Sequence, residues 1–236
     1  MLYMMLPLDR HFDSGFGAVA DSFKDSADAL EDSRESTPTL NAHLPISFLY
    51  RHAIELYLKS AIIIFHRKLN IPYGGTPANG EPHIHDGMKW KPMYNVHGLL
   101  PLYRHFRSLF EDHAEYLTTN TNTDWGFPIE LGQWIDDIEA TDSSSTFFRY
   151  PVTKDKVKDK EKSVFREDSY DALLSRVETH QRPTKTLLML DEDNNVVEAF
   201  SHDDTRPKEI IGTLKQVAEL FSDYHAALVG ELTGGA

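Results

Sequence analysis

Apolar residues along this chain recur mostly at helical spacing. In residues 16 to 30, FGAVADSFKDSADAL, the side chains of Phe16, Val19, Phe23 and Leu30 share one stripe, with Asp and Ser opposite, which predicts an amphipathic helix. The next stretch, EDSRESTPTLNAHLP, reads as a linker with a turn at Pro38. Pro45 suits a first helical turn, and residues 46 to 69 carry the strongest helical pattern of the chain. NIPYGGTPANGEPHIHDGMKWKP then breaks any helix through its Gly, Pro and Asn content. A loop that long within a domain is uncommon and often functional. A third helix is expected from a cap at Asn95 to about Leu117, with Pro101 tolerated near its first turn. A short helix begins near Pro128 in PIELGQWIDDIEA, and KDKVKDKEK reads as a solvated loop or helix face. KTLLML and NVVEAF, separated by DEDN, have the pattern of a β-hairpin. The last helix is expected to start at Pro207 and repeats Ile210, Leu214, Val217, Phe221, Tyr224 and Leu228 at core spacing.

The helix pattern of residues 48 to 65, FLYRHAIELYLKSAIIIF, contains an anomaly. It is apolar on nearly every side, as a buried helix is, yet it holds Arg51, His52, Glu55 and Lys59. Arg51, Glu55 and Lys59 are spaced by four and form one row. His52 lies beside the row, three residues from Glu55. One reading is a narrow solvent-facing stripe in which Glu55 bridges Arg51 and Lys59. The other is a crevice between helices, where these groups meet residues from elsewhere.

Composition narrows the classes. The 236 residues, 40% hydrophobic and 11% aromatic, allow a sizeable core. No apolar run approaches the ~20 residues of a membrane span. The opening MLYMMLPLDRHF lacks a basic region and a small-residue cleavage site, so no signal peptide is expected. Absence of cysteine excludes disulfides, thiolate metal sites and cysteine nucleophiles, and fits a cytoplasmic protein. A net charge of −13 argues against non-specific coating of nucleic acid. Contact with RNA would need a local basic cleft, a dimer seam or a partner. Twelve histidines direct attention to metal or acid–base chemistry.

RHAIELYLKSAII, then HGLLPLY, then FFRYP resembles the HEPN superfamily of small helical bundles. That superfamily often shows an A-x-E-x-x-L-K helix, an H-x-L helix start and an R-Y-P element before the last helix. The matching positions are Ala53, Glu55, Leu58 and Lys59, then His97 and Leu99, then Arg149, Tyr150 and Pro151, in that order. The resemblance covers about residues 16 to 151 and the last helix. It implies a HEPN-like helical bundle, and the helix-dominated pattern with its one hairpin makes the class mainly α with a small β-hairpin insertion before the last helix. It also implies a symmetric homodimer and a metal-independent endoribonuclease toxin of bacterial anti-phage or toxin–antitoxin systems. A non-catalytic module binding a nucleotide, a partner or an antitoxin protein is the alternative. No cofactor, metal or membrane partner is expected. One domain is expected over residues 1–236, with a loop insertion at 70–95 and a hairpin-bearing insertion at 152–206.

Active members of the superfamily typically pair an Arg and a His four to six residues apart, with a polar residue after the Arg. Here Arg107 and His113, in RSLFEDH, have that spacing, but they lie on the third helix and Ser108 follows the Arg. Arg176 to His180 is one residue shorter. A second constellation gathers Arg51, His52, Glu55, Lys59, His97 and Arg149, with Tyr150 beside them. In it Arg51 and Arg149 would hold a phosphate, His52 would move protons and Glu55 would orient the imidazole. The same groups also suit a buried salt-bridge network that pins helices together. In EPHIHDG, which also carries Asp86, His83 and His85 of an extended segment point to one side and would begin a metal site, the basis of a weaker metal-dependent hydrolase alternative, but no third ligand is evident. Ser143 to Ser145 read as a turn or cap. On the last helix Tyr224 fits the core stripe, while His225, after Asp223, is expected at its edge. No phosphate-binding Gly-rich loop, G-x-S-x-G elbow or H-E-x-x-H helix is present.

Overall fold

A computed structural model describes residues 5–34, 36, 40–179 and 185–235. The expected turn at Pro38 and the spacing from Arg176 to His180 fall outside the described residues. The described chain is mainly α, with eight α-helices and two small sheets.

Helix α2 (His43–Lys68) is the centre of the fold and packs against α1 (Phe16–Asp32), α3 (Leu99–Asp112) and α8 (Thr205–Leu228). Being apolar on nearly every side, it is buried on nearly every side. Pro45 sits in its first turn, where a missing N–H costs nothing. At its other end Asn70 takes a left-handed conformation (φ 53) and Ile71 N–H bonds His66 O at 2.9 Å. That pairing closes the helix with satisfied carbonyls.

α1 begins where Asp13 accepts from Gly15 N–H (2.9 Å) and Gly17 N–H (2.7 Å). Gly15 has φ +83, and a Cβ there would lie 2.9 Å from Leu8 Cβ, so a glycine is required. The inward side of α1 runs through Ala20 and Ala27, both fully buried, whose small size lets α1 lie close on α2. Leu30, expected on the core stripe, is instead 42% exposed.

The helix expected from Asn95 to Leu117 is two helices, α3 and α4 (Ala114–Asn120), broken at His113 (φ −118, ψ 16). Asn95 does not cap it, because Met93–Asn95 form a 3-10 turn. The first N–H groups of α3, on Leu99 and Leu100, donate instead to Glu139 of α5 (Leu131–Thr141), at 2.9 and 3.4 Å. Gly98 permits this approach, since a Cβ there would lie 3.0 Å from Glu139 Oε1. α8 starts two residues before Pro207, which therefore occupies its first turn.

The long loop after α2 contains a short antiparallel hairpin, β1 (His83–His85) with β2 (Trp90–Pro92). The segment before α8 holds short helix α6 (Lys156–Asp159), β3 (Phe165–Asp168), α7 (Tyr170–Thr179), β4 (Thr186–Leu190) and β5 (Val196–His202). The expected hairpin is β4–β5, and β3 adds on the far side to give the antiparallel order β3-β5-β4. The charged run KDKVKDKEK is not uniformly solvated. Lys162 is buried, with Nζ donating to Tyr150 O (2.7 Å) and Asp159 (2.6 Å) and lying 4.8 Å from the Phe147 ring centre. Its long stem packs while its charge is fully matched.

Candidate functional site

The polar row of α2 faces inward. Arg51, Glu55 and Lys59 are 0%, 1% and 3% exposed, which excludes the solvent-facing stripe. Arg51 donates through Nη2 to His97 O (2.7 Å) and through Nε to Asp142 O (3.1 Å). Its Nη1 reaches Glu55 Oε2 at 3.4 Å, and Asp142 Oδ2 lies 3.5 Å from Nε. Glu55 Oε1 accepts from Lys59 Nζ (2.8 Å) and His97 Nδ1–H (3.0 Å). Burial pushes the Glu55 carboxyl up, but Lys59, His97 and Arg51 outweigh it and hold it below the ordinary range. Asp142, just past α5, uses its other oxygen to cap the following turn at Thr146 N–H (2.8 Å) and Phe147 N–H (3.0 Å). This buried network therefore joins α2, the start of α3 and the end of α5. Buried charges need such pairing to be tolerable; Asp142 Oδ2 alone in the network is buried without a hydrogen bond among the described residues, balanced by the Arg51 charge 3.5 Å away.

His52 and Arg149 stand beside the network. The His52 imidazole is half-buried between Phe23, edge-on at 4.5 Å, and Phe48, stacked at 5.7 Å. Its Nδ1 has no hydrogen-bond partner among the described residues. Burial lowers the pKa of this imidazole; Glu55 opposes, and Lys59, Arg149 and Arg51 reinforce the lowering. Arg149 is exposed and lies over the Phe48 ring at 5.1 Å, with Nη2 3.4 Å from Ser145 Oγ. Tyr150 is 49% exposed, with the Arg149 guanidinium 6.0 Å over its ring, and also borders a second space. With Ser143, Ser144, Lys154 and Lys158 it lines an open cleft of about 650 Å³ whose wall includes Asp142. Lys158 Nζ donates to Ala140 O at the end of α5, 2.5 Å away.

Arg107 and His113 are engaged locally. Arg107 pairs with Glu111 at 2.6 Å and lies over the Phe127 ring, while His113 Nδ1–H donates to Leu109 O at 2.8 Å.

Two histidine sets were not legible from spacing. His66 and His105 bring their Nε2 atoms to 3.1 Å, and His66 Nδ1–H donates to Ile71 O at 2.9 Å. They line a cleft of about 440 Å³ together with His85, Asp86 and Trp90. Burial, reinforced by His66 and His85, pushes the His105 imidazole down to about 4. Asp86 is occupied by Lys91 and by the N–H groups of Met88 and Lys89. Among the described residues no three His, Cys, Asp or Glu side chains are grouped to hold a metal. In the second set, Ser60 donates to Asp13 Oδ2 (2.6 Å) and sits 3.0 Å from His225 Nδ1. The hydroxyl proton goes to Asp13, so His225 donates to Ser60, the reverse of an activated serine. His225, expected at the helix edge, is 3% exposed because α8 turns it toward this hydroxyl. Its only sequence signal was a polar residue next to the core stripe.

No family model matches the chain, and neither do curated proteins or solved structures. No described helix is long and apolar enough to cross a membrane.

Proposed function

We propose that this chain is a non-catalytic, HEPN-like module that binds a nucleotide in the Tyr150 cleft. The observation that carries this reading is the closure of the charge row. Arg51, Glu55 and Lys59, the groups best suited to hold and cleave a phosphodiester, are spent on one another, on His97 and on Asp142. A guanidinium donating to two carbonyls and a carboxylate has little left for a substrate phosphate. Beside the network the cleft offers what a nucleotide needs. Tyr150 presents an exposed ring for stacking, Lys154 a cation, and Ser143 and Ser144 hydroxyls.

Calorimetry with purine and pyrimidine nucleotides tests the reading. Binding is expected, with Tyr150→Ala and Lys154→Ala each weakening it about tenfold, a loss of about 1.4 kcal/mol, and leaving the melting temperature unchanged. Absence of binding at millimolar nucleotide overturns it.

The half-buried His52 imidazole, whose pKa is lowered chiefly by burial, and the exposed Arg149 over the Phe48 ring favour a second reading, a metal-independent endoribonuclease toxin of an anti-phage system. There His52 takes the proton of the RNA 2′-hydroxyl and Arg149 holds the phosphate. Cleavage of RNA in excess chelator, lost in His52→Ala or Arg149→Ala at unchanged melting temperature, selects this reading. Loss of a general base typically costs ~10²–10⁴ in rate.

A further inference from the structure

Strand β4 is the outer strand of its sheet, and among the described residues no strand pairs with its free edge. All five of its residues are exposed. Leu187, Leu188, Met189 and Leu190 stand at 52%, 41%, 50% and 54% exposure. Leu187 and Met189 lie on one face and Leu188 and Leu190 on the other, so no tilt of the strand hides them together. The strand itself carries no charge, Pro or Gly to blunt the edge, and the one irregularity in its pairing with β5 lies near its end, between Met189 and Leu190.

We propose that a second copy of this chain covers the edge. The two β4 strands pair antiparallel about a two-fold axis at Leu188, joining the two sheets into one. In this register Leu187 faces Met189 of the second copy and Thr186 faces its Leu190. At both ends Lys185 faces Asp191 of the second copy, so opposite charges close the paired segment. Sliding one strand by two residues sets Asp191 against Leu187, which selects the centred register. A chain of charge −13 repels its copy at long range. Association must then rest on backbone pairing and apolar contact, and β4 supplies both. One short strand buries less than the about 800 Å² per partner of a standard interface, so the dimer dissociates on dilution.

Sedimentation of the full chain between about 1 and about 100 µM tests the proposal. The expected result is a reversible dimer of the 27.0 kDa chain that Leu188→Lys converts to a monomer. Far-UV dichroism, and melting at about 1 µM where the dimer has dissociated, are expected to stay unchanged, since Leu188 is exposed. A monomer throughout the range overturns the proposal, and so does a dimer that survives Leu188→Lys. The absence of cysteine gives an independent readout. Leu188→Cys places one thiol at the axis and is expected to cross-link under mild oxidation. Val157→Cys, exposed elsewhere at 78%, is expected not to. Equal cross-linking of the two variants argues for random collision and overturns the register.

Discussion

Arg51 is the side chain on which the site turns, because it is fully buried and its removal orphans several partners at once. Arg51→Ala leaves Glu55 short of one cation and two carbonyls without a donor. Breaking a buried pair costs about 3–5 kcal/mol, and urea denaturation is expected to show a loss of that size. The row itself was legible in the sequence, since a spacing of four on an apolar helix forces three charges onto one line. Asp142 was not legible, because it lies 91 residues away and nothing local marks it as the partner. The fate of His105 was hidden for the same reason, since its environment comes from α2 and the loop hairpin. Its pKa falls from 6.5 to about 4, so the unfolded chain binds the proton more tightly than the folded one. Stability is therefore full above about pH 6.5 and drains as pH falls toward 4. At about 1.4 kcal/mol per pH unit the loss reaches about 3 kcal/mol. Denaturation curves of His105→Phe are expected to be flatter across that window, and an unchanged slope would show that other groups govern it.

Among the elements, the amphipathic or wholly apolar helices were readable and their ends were not. α2 and α8 appear within three residues of their expected starts, because apolar periodicity over six turns leaves no competing assignment. The third helix misled because Asn95 resembles a cap, while the actual cap, Glu139, reaches across from another helix. β3 and α7 were invisible, since FRED has a single apolar residue and gives no alternation. The start of α1 offers a test at this scale. Asp13 accepts from the N–H groups of Gly15 and Gly17 and also from the Ser60 hydroxyl. Asp13→Ala removes a helix cap, typically about 1 kcal/mol, and leaves a buried hydroxyl that costs about 1–3 kcal/mol more. A combined loss of about 2–4 kcal/mol in thermal or urea unfolding is expected. A loss under 1 kcal/mol would show that water takes over both roles.

For the whole molecule, charge and the exposed strand act in opposite directions on association. Raising salt from about 0.1 to about 1 M shortens the screening length from about 10 to about 3 Å. Repulsion between chains of −13 is then screened, while apolar pairing along β4 is not. The dimer is expected to tighten with salt in sedimentation runs, since the two exposed Lys185–Asp191 pairs at its ends contribute little, and weakening would show that ion pairs rather than β4 hold the copies together. The reach of Arg51 bears on how the molecule assembles in time. Its two carbonyl acceptors belong to residues 46 and 91 positions further along the chain. Contacts so distant in sequence demand large loop closures before they return any energy, so the guanidinium is expected to find its acceptors after the barrier to folding has been crossed. Arg51→Ala should then leave the refolding rate nearly untouched and accelerate unfolding by almost the full stability loss. Stopped-flow chevrons would show this as one displaced limb, and a slowed refolding limb would place Arg51 in the nucleus. The same side chain that locks the crevice thereby sets how long the native state lasts, acting as a latch that fastens last and is the first to be missed.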